Sequence, residues 1–161
     1  MLTKLLPDQI SKFWDVIAYA LDQSPPITVS NPEDWKNRIL ASAISGKISV
    51  WASYVKEDEK VKFEGIALTS ISYDDLLMVN SLLIYYIYSY DYEQIPLDTY
   101  KDGITVLSKY AKKHKCVNIH AYTTEDRVKE IVTRLGGDAT VTLLTFDIDR
   151  CLNYLINSEG D

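Results

Sequence analysis

The sequence predicts one α/β (α+β) domain, a mixed, mainly antiparallel central sheet flanked by helices in the order α-α-β-β-β-α-β-α-β. Three observations predict it. Three β-rich runs follow one another across short turns, which implies an antiparallel meander. The apolar period then switches from two to 3.6 at about residue 97. Two later helices each sit between strand-like runs, and such crossovers imply parallel pairing.

Residues 6–21 carry Ile10, Phe13, Trp14, Ile17, Ala18 and Leu21 at helical spacing, with Pro7 and Asp8 at the start. Pro25 and Pro26 stop that helix, because neither can continue it. Asn31 is placed to cap a second helix with Pro32 in its first turn, a stripe of Trp35, Ile39, Leu40 and Ala43, and Gly46 at its end. Residues 48–55, 61–72 and 76–90 read as the three strands, with residues 56–60 and 73–75 as their turns. The run LLIYYIYSY over residues 82–90 fits a strand buried on both faces. Leu97, Tyr100, Ile104, Leu107 and Ala111 form one face of a helix ending near His114, while Asp98, Lys101, Asp102, Lys109, Lys112 and Lys113 cover the other. Residues 116–122 are a short strand. A helix opened by Thr123 or Thr124 carries Val128, Ile131, Val132 and Leu135 and closes at Gly136 and Gly137. Residues 140–148 are the last strand and residues 149–161 a tail of the same single domain, 1–161.

A chain of 161 residues supplies one core. Its net charge of −6 excludes a general phosphate-backbone binder, so no nucleic-acid partner is expected. No run approaches the length of a membrane span, and Pro7, Asp8 and Lys12 interrupt any signal-peptide core. Cys116 and Cys151 read as small buried apolar residues in a reducing compartment, which places the chain in the cytoplasm. His114 and His120 are the only histidines and lack the companions of a metal site, so no metal is expected. The six glycines make no phosphate loop, nucleophile elbow or dinucleotide fingerprint.

The element order, and the stretch LLIYYIYSYDYEQIPLDTYKDGITVLSKYAKKHKCVNIHAYTTEDRVKEIVTRLGG above all, resembles the GNAT superfamily of acyl-CoA-dependent N-acetyltransferases. The resemblance covers residues 5–148 as an order of elements. It implies a central strand, a cofactor helix after it, and a Q/R-x-x-G-x-G/A loop between them. Glycines there let backbone N–H groups approach the pyrophosphate of acetyl-CoA at a helix N-terminus. The aligned residues are Gln94, Ile95, Pro96, Leu97, Asp98 and Thr99. Gln94 matches, whereas Leu97 and Thr99 replace the glycines. Asp91, Glu93 and Asp98 add negative charge where phosphates would sit. The tyrosine that protonates the departing thiolate in many members aligns with Val132, and the usual asparagine of the same helix with Glu125.

The resemblance therefore implies a cofactor surface at Tyr88, Ser89, Tyr90, Gln94, Leu97, Asp98 and Thr99. Tyr88, Tyr90 and Tyr92 are the cleft-lining tyrosines, against a plainer reading in which large amphipathic rings fill a wide strand. Tyr122 is the candidate acid and Glu64 the candidate base. Two functions follow. The first is a divergent GNAT-like protein with weakened or lost transfer and a binding or assembly role, its partner a protein or a second copy. Small virus- or phage-encoded proteins offer an analogy for it. The alternative is an active acyltransferase with a remodelled cofactor loop, acting on a small amine or a protein amine.

Overall fold

The computed structural model describes residues 2–24, 34–57, 60–90, 97–123 and 126–141. The chain forms β1 (Leu2–Lys4), α1 (Pro7–Lys12), α2 (Trp14–Gln23), α3 (Trp35–Ile44), β2 (Ser49–Glu57), β3 (Lys60–Asp74), β4 (Val79–Ser89), α4 (Leu97–Lys113), β5 (Cys116–Ala121) and α5 (Asp126–Arg134). The five strands make one sheet in the order β1-β2-β3-β4-β5. Every neighbouring pair is antiparallel except β4 with β5, which run parallel as the α4 crossover requires.

Two differences from the expected order stand at the N-terminus. Residues 2–4 add a strand, because the outer edge of β2 offers unpaired backbone groups and Leu2, Thr3 and Lys4 take them from Ser53, Ala52 and Trp51. The single helix expected over residues 6–21 is two. It breaks at Phe13, whose φ of −102° and ψ of 15° end α1 and start α2. The break lets Ile10 and then Ile17, Ala20 and Leu21 all reach one core. α3 starts at Trp35 behind Asp34, which takes a left-handed conformation and makes no side-chain cap. The expected cap Asn31 lies outside the described residues, as do residues 142–148 of the expected last strand. Thr140 and Val141, at its start, are not in a strand.

A helix layer covers each face of the sheet. Helices α1, α2 and α3 cover a core of Leu5, Ile10, Ile17, Leu21, Val50, Ile66, Leu68 and Tyr86. On the other face α4 lays Leu107 and Ala111 on Trp51, Ala67, Leu82 and Ile84. This explains the apolar run in β4, which is buried on both sides through its middle. Tyr110 anchors α4 laterally, with its hydroxyl 3.0 Å from Ser49 Oγ and accepting from Lys4 Nζ. Inside that layer Trp51 Nε1 donates to Thr69 Oγ1 at 2.9 Å, so neither buried polar group is orphaned.

The end of α5 closes as the glycine pair predicts. Gly136 has φ +82° and donates to Thr133 O, and Gly137 donates to Val132 O at 2.9 Å, the paired bonds of a Schellman turn. Cys116 is half-buried rather than buried. It packs at the rim of the α4 core with its thiol near His114 O, and burial pushes its pKa up.

Candidate functional site

Pairing between β4 and β5 ends at Ile84 with Ala121. Pairing between β4 and β3 continues to Ser89 with Gly65. Residues 86–89 therefore keep one strand neighbour and present a free edge on the β5 side, among the described residues. β5 departs at Tyr122, which stands at the mouth of the split and is 38% exposed. Helix α4 starts beyond the same end of β4.

Two bulges shape this end. Leu68 pairs with Tyr86 and Thr69 with Ile84, so Tyr85 is an extra residue in β4. The extra residue reverses the alternation. Leu82 and Ile84 point to α4, but Tyr86 and Tyr88 point to the α1–α3 side. Ser53 pairs with Gly65 and Tyr54 with Phe63, so Glu64 is an extra residue in β3. Glu64 is half-buried, and its carboxylate accepts a 2.7 Å hydrogen bond from the buried Ser53 hydroxyl. Its backbone oxygen accepts Tyr90 N–H at 3.0 Å and faces Ser89 Oγ at 3.4 Å. Glu64 thus joins β2, β3 and the end of β4 at one point. Neither bulge was visible in the sequence, nor was the part of Ser53. Ile87, which the reversed alternation leaves 48% exposed beside the free edge, was missed as well.

The tyrosines divide. Tyr86 donates its hydroxyl to Ala20 O and Tyr90 donates to Val16 O at 2.9 Å, so both tie β4 to α2. Tyr90 also stacks on Tyr19 at 6.4 Å and meets Tyr88 edge-on at 5.1 Å. These rings fill the sheet–helix interface, which is the plainer of the two readings, while Tyr88 and Tyr90 keep half-buried surfaces at the end of β4. Burial, then the neighbouring Tyr88 and Tyr19, push Tyr90 from 10.0 up to about 12. Burial raises Tyr86 as well, helped by Tyr88, Tyr90 and Asp22. The raised folded value means that the unfolded chain loses these protons first. Stability that is intact below pH 10 is then lost as pH rises through about 12. Thermal melts across that range are expected to show a falling Tm, and Tyr90→Phe is expected to flatten the fall. An equal slope in the variant would contradict this assignment.

Of the expected cofactor residues, Tyr88 and Ser89 end β4, Tyr90 follows in the turn, and Leu97, Asp98 and Thr99 form the first turn of α4. Gln94, with Asp91, Tyr92 and Glu93, lies outside the described residues, as does Glu125. The exposed Asp98 carboxylate pairs with Lys101 at 3.0 Å, one turn along the same helix face. Val132 is held in the Schellman turn, its Cγ1 only 2.6 Å from where a Cβ on Gly137 would stand. His114 meets the Tyr110 ring at a tilt of 47°, and His120 is exposed in β5. Among the described residues no three His, Cys, Asp or Glu side chains gather as a metal site, and no helix is long and apolar enough to cross a membrane.

No family model and no curated protein sequence matches the chain. Solved structures do. A ribosomal-protein-alanine N-acetyltransferase from Brucella melitensis biovar Abortus 2308 matches with a TM-score of 0.63 at 9% identity, over 91% of this chain and 99% of that one. Glucosamine-6-phosphate N-acetyltransferase from Arabidopsis thaliana matches with a TM-score of 0.64 at 13% identity, over 91% and 97%. The aminoglycoside N-acetyltransferase AAC(6')-Iy, solved with CoA, matches with a TM-score of 0.59 at 12% identity, over 91% and 98%. The chain has the GNAT fold. At these identities the likeness is one of fold.

Proposed function

We propose that the chain binds an acyl-CoA along the free edge of β4 and that acyl transfer from it to an amine is weakened. The carrying observation is the end of β4–β5 pairing at Ile84, beyond which residues 86–89 have no strand partner on that side among the described residues. An extended, amide-bearing arm such as that of CoA fits such an edge, because it can take the hydrogen bonds an added strand would take. Ile87 offers apolar surface beside it. The first turn of α4 suits a diphosphate less well, since Asp98 brings a carboxylate to the helix end.

The thioester supplies the activated acyl group, and the chain's residues supply the rest. Glu64, fixed by Ser53, is the group to accept a proton from an incoming amine. Tyr122 at the mouth of the split is the group to donate one to a departing thiolate. Val132, which the resemblance aligns with the usual acid, has no proton to give. With that acid missing from α5 and the carboxylate of Asp98 at the start of α4, slow transfer is the expected outcome.

Calorimetry with acetyl-CoA tests the first half, with a Kd of about 0.1–1 mM expected. Absence of binding at millimolar acetyl-CoA would sink it. Turnover against a panel of amines tests the second half. A kcat below about 1 s⁻¹ is expected, and one above about 10 s⁻¹, the ordinary enzyme median, would show an active transferase instead. The Glu64–Ser53 pair favours that second reading, in which Glu64→Gln removes most of the turnover.

A further inference from the structure

β3 outruns β2. Its last β2 partner is Thr69, facing Ser49, while its pairing with β4 continues through Ser70, Ile71, Ser72, Tyr73 and Asp74. Five residues, about 16 Å of strand, therefore project as a hairpin with an open outer edge among the described residues. β2 leaves this lane empty because it begins only at Ser49, where the chain arrives from α3 with Ile48 N–H still bonded to Ser42 O. Residues 71–78 are all exposed. The tip is apolar, with Leu76 94%, Leu77 71% and Met78 75% exposed. It is also well defined, because Asp74 Oδ1 accepts both Leu76 N–H and Leu77 N–H at 2.9 Å. An open strand edge ending in three exposed apolar residues is a feature that soluble proteins ordinarily block or use.

We propose that the lane is filled by the same five residues of a second copy, paired antiparallel about Ser72. The segment is complementary to itself in that register. Ser72 meets Ser72, Ile71 meets Tyr73, and Ser70 meets Asp74, so a β-branched residue faces an aromatic one and no like charges are opposed. The lengths agree, since each copy offers the five residues that the other's lane accepts. The partner chain turns away at Asp75, where the lane ends against Ser49. That turn carries Asp74 and Asp75 of one copy towards the exposed Lys47 of the other, and the apolar tip towards the exposed Ile44 at the end of α3. Charge and apolar surface therefore match at both ends of the pairing. One patch meeting itself about a twofold axis closes as a dimer and cannot propagate as a fibre.

Sedimentation of the full chain is expected to show a monomer–dimer equilibrium with a Kd of about 1–100 µM, the weak range of a small interface. Tyr73→Lys, at an exposed position, is expected to weaken it at least tenfold while the circular dichroism of the fold is kept. Ser72→Cys is expected to form a disulfide-linked dimer under mild oxidation well ahead of both Ser70→Cys and the unmodified chain, because only residue 72 lies on the axis. A chain monomeric across this range would overturn the proposal. So would Ser72→Cys crosslinking no faster than Ser70→Cys, or a chain that stays monomeric while its tip binds phosphatidylserine vesicles.

Discussion

Gly65→Ala is expected to destabilise the fold by about 1–3 kcal/mol and to weaken acetyl-CoA binding with it. A Cβ at Gly65 would stand 2.8 Å from Tyr88 O and 3.7 Å from Ser89 Cα. The neighbour that must move is backbone, so no side-chain rotation relieves the clash. β3 and β4 would separate where Glu64 O holds Tyr90 N–H, and the free edge of residues 86–89 would shift with them. Urea unfolding measures the first effect and calorimetry the second. A variant with unchanged stability and unchanged affinity would show that close approach of these strands is not what sets the site.

Leu68→Ala is expected to cost about 2–5 kcal/mol. Leu68 is fully buried at the centre of the α1–α3 core and pairs with Tyr86 across β3 and β4. Helices on one side and strands on two others hold the walls of the resulting cavity, so collapse into it is limited. A loss of that size is a large share of the roughly 5–15 kcal/mol that a domain ordinarily has. Urea unfolding at constant m-value checks it, and a loss under about 1 kcal/mol would mean that this layer repacks freely.

Period and punctuation made the middle of the chain legible. α4 lies where the stripe of Leu97, Ile104, Leu107 and Ala111 put it, and Gly136 takes the left-handed conformation that a helix-ending glycine supplies. β4 was legible as a strand covered on both faces because its apolar run is unbroken. What stayed hidden was decided by partners distant in sequence. Residues 2–4 pair only because β2 has an edge to cover, and three residues carry no period of their own. The break at Phe13 follows from two helix segments reaching one core, with no proline or glycine to announce it. The bulges at Glu64 and Tyr85 are mismatches between strands, which one strand's sequence does not contain.

The positions of the candidate residues were legible in part, though not their role. Tyr88 and Ser89 end the central strand, Tyr90 follows it, and Tyr122 follows the last residue of β5. Glu64 was singled out as a strand carboxylate, but its bond to Ser53 and its place in a bulge depend on the register of β2 against β3. Tyr86 and Tyr90 illustrate the reverse. The resemblance put Tyr90 in a cleft and left Tyr86 to fill the strand, while both hydroxyls are engaged by carbonyls of α2, a helix some 70 residues earlier in the chain (sequence separations of 66 and 74).

Amide hydrogen exchange with and without acetyl-CoA tests the assignment of the free β4 edge most directly. If the edge holds the acyl-CoA, added acetyl-CoA will slow exchange in residues 86–89 beyond any change in residues 80–84, which β5 already covers. Binding that leaves residues 86–89 exchanging as before would contradict the assignment.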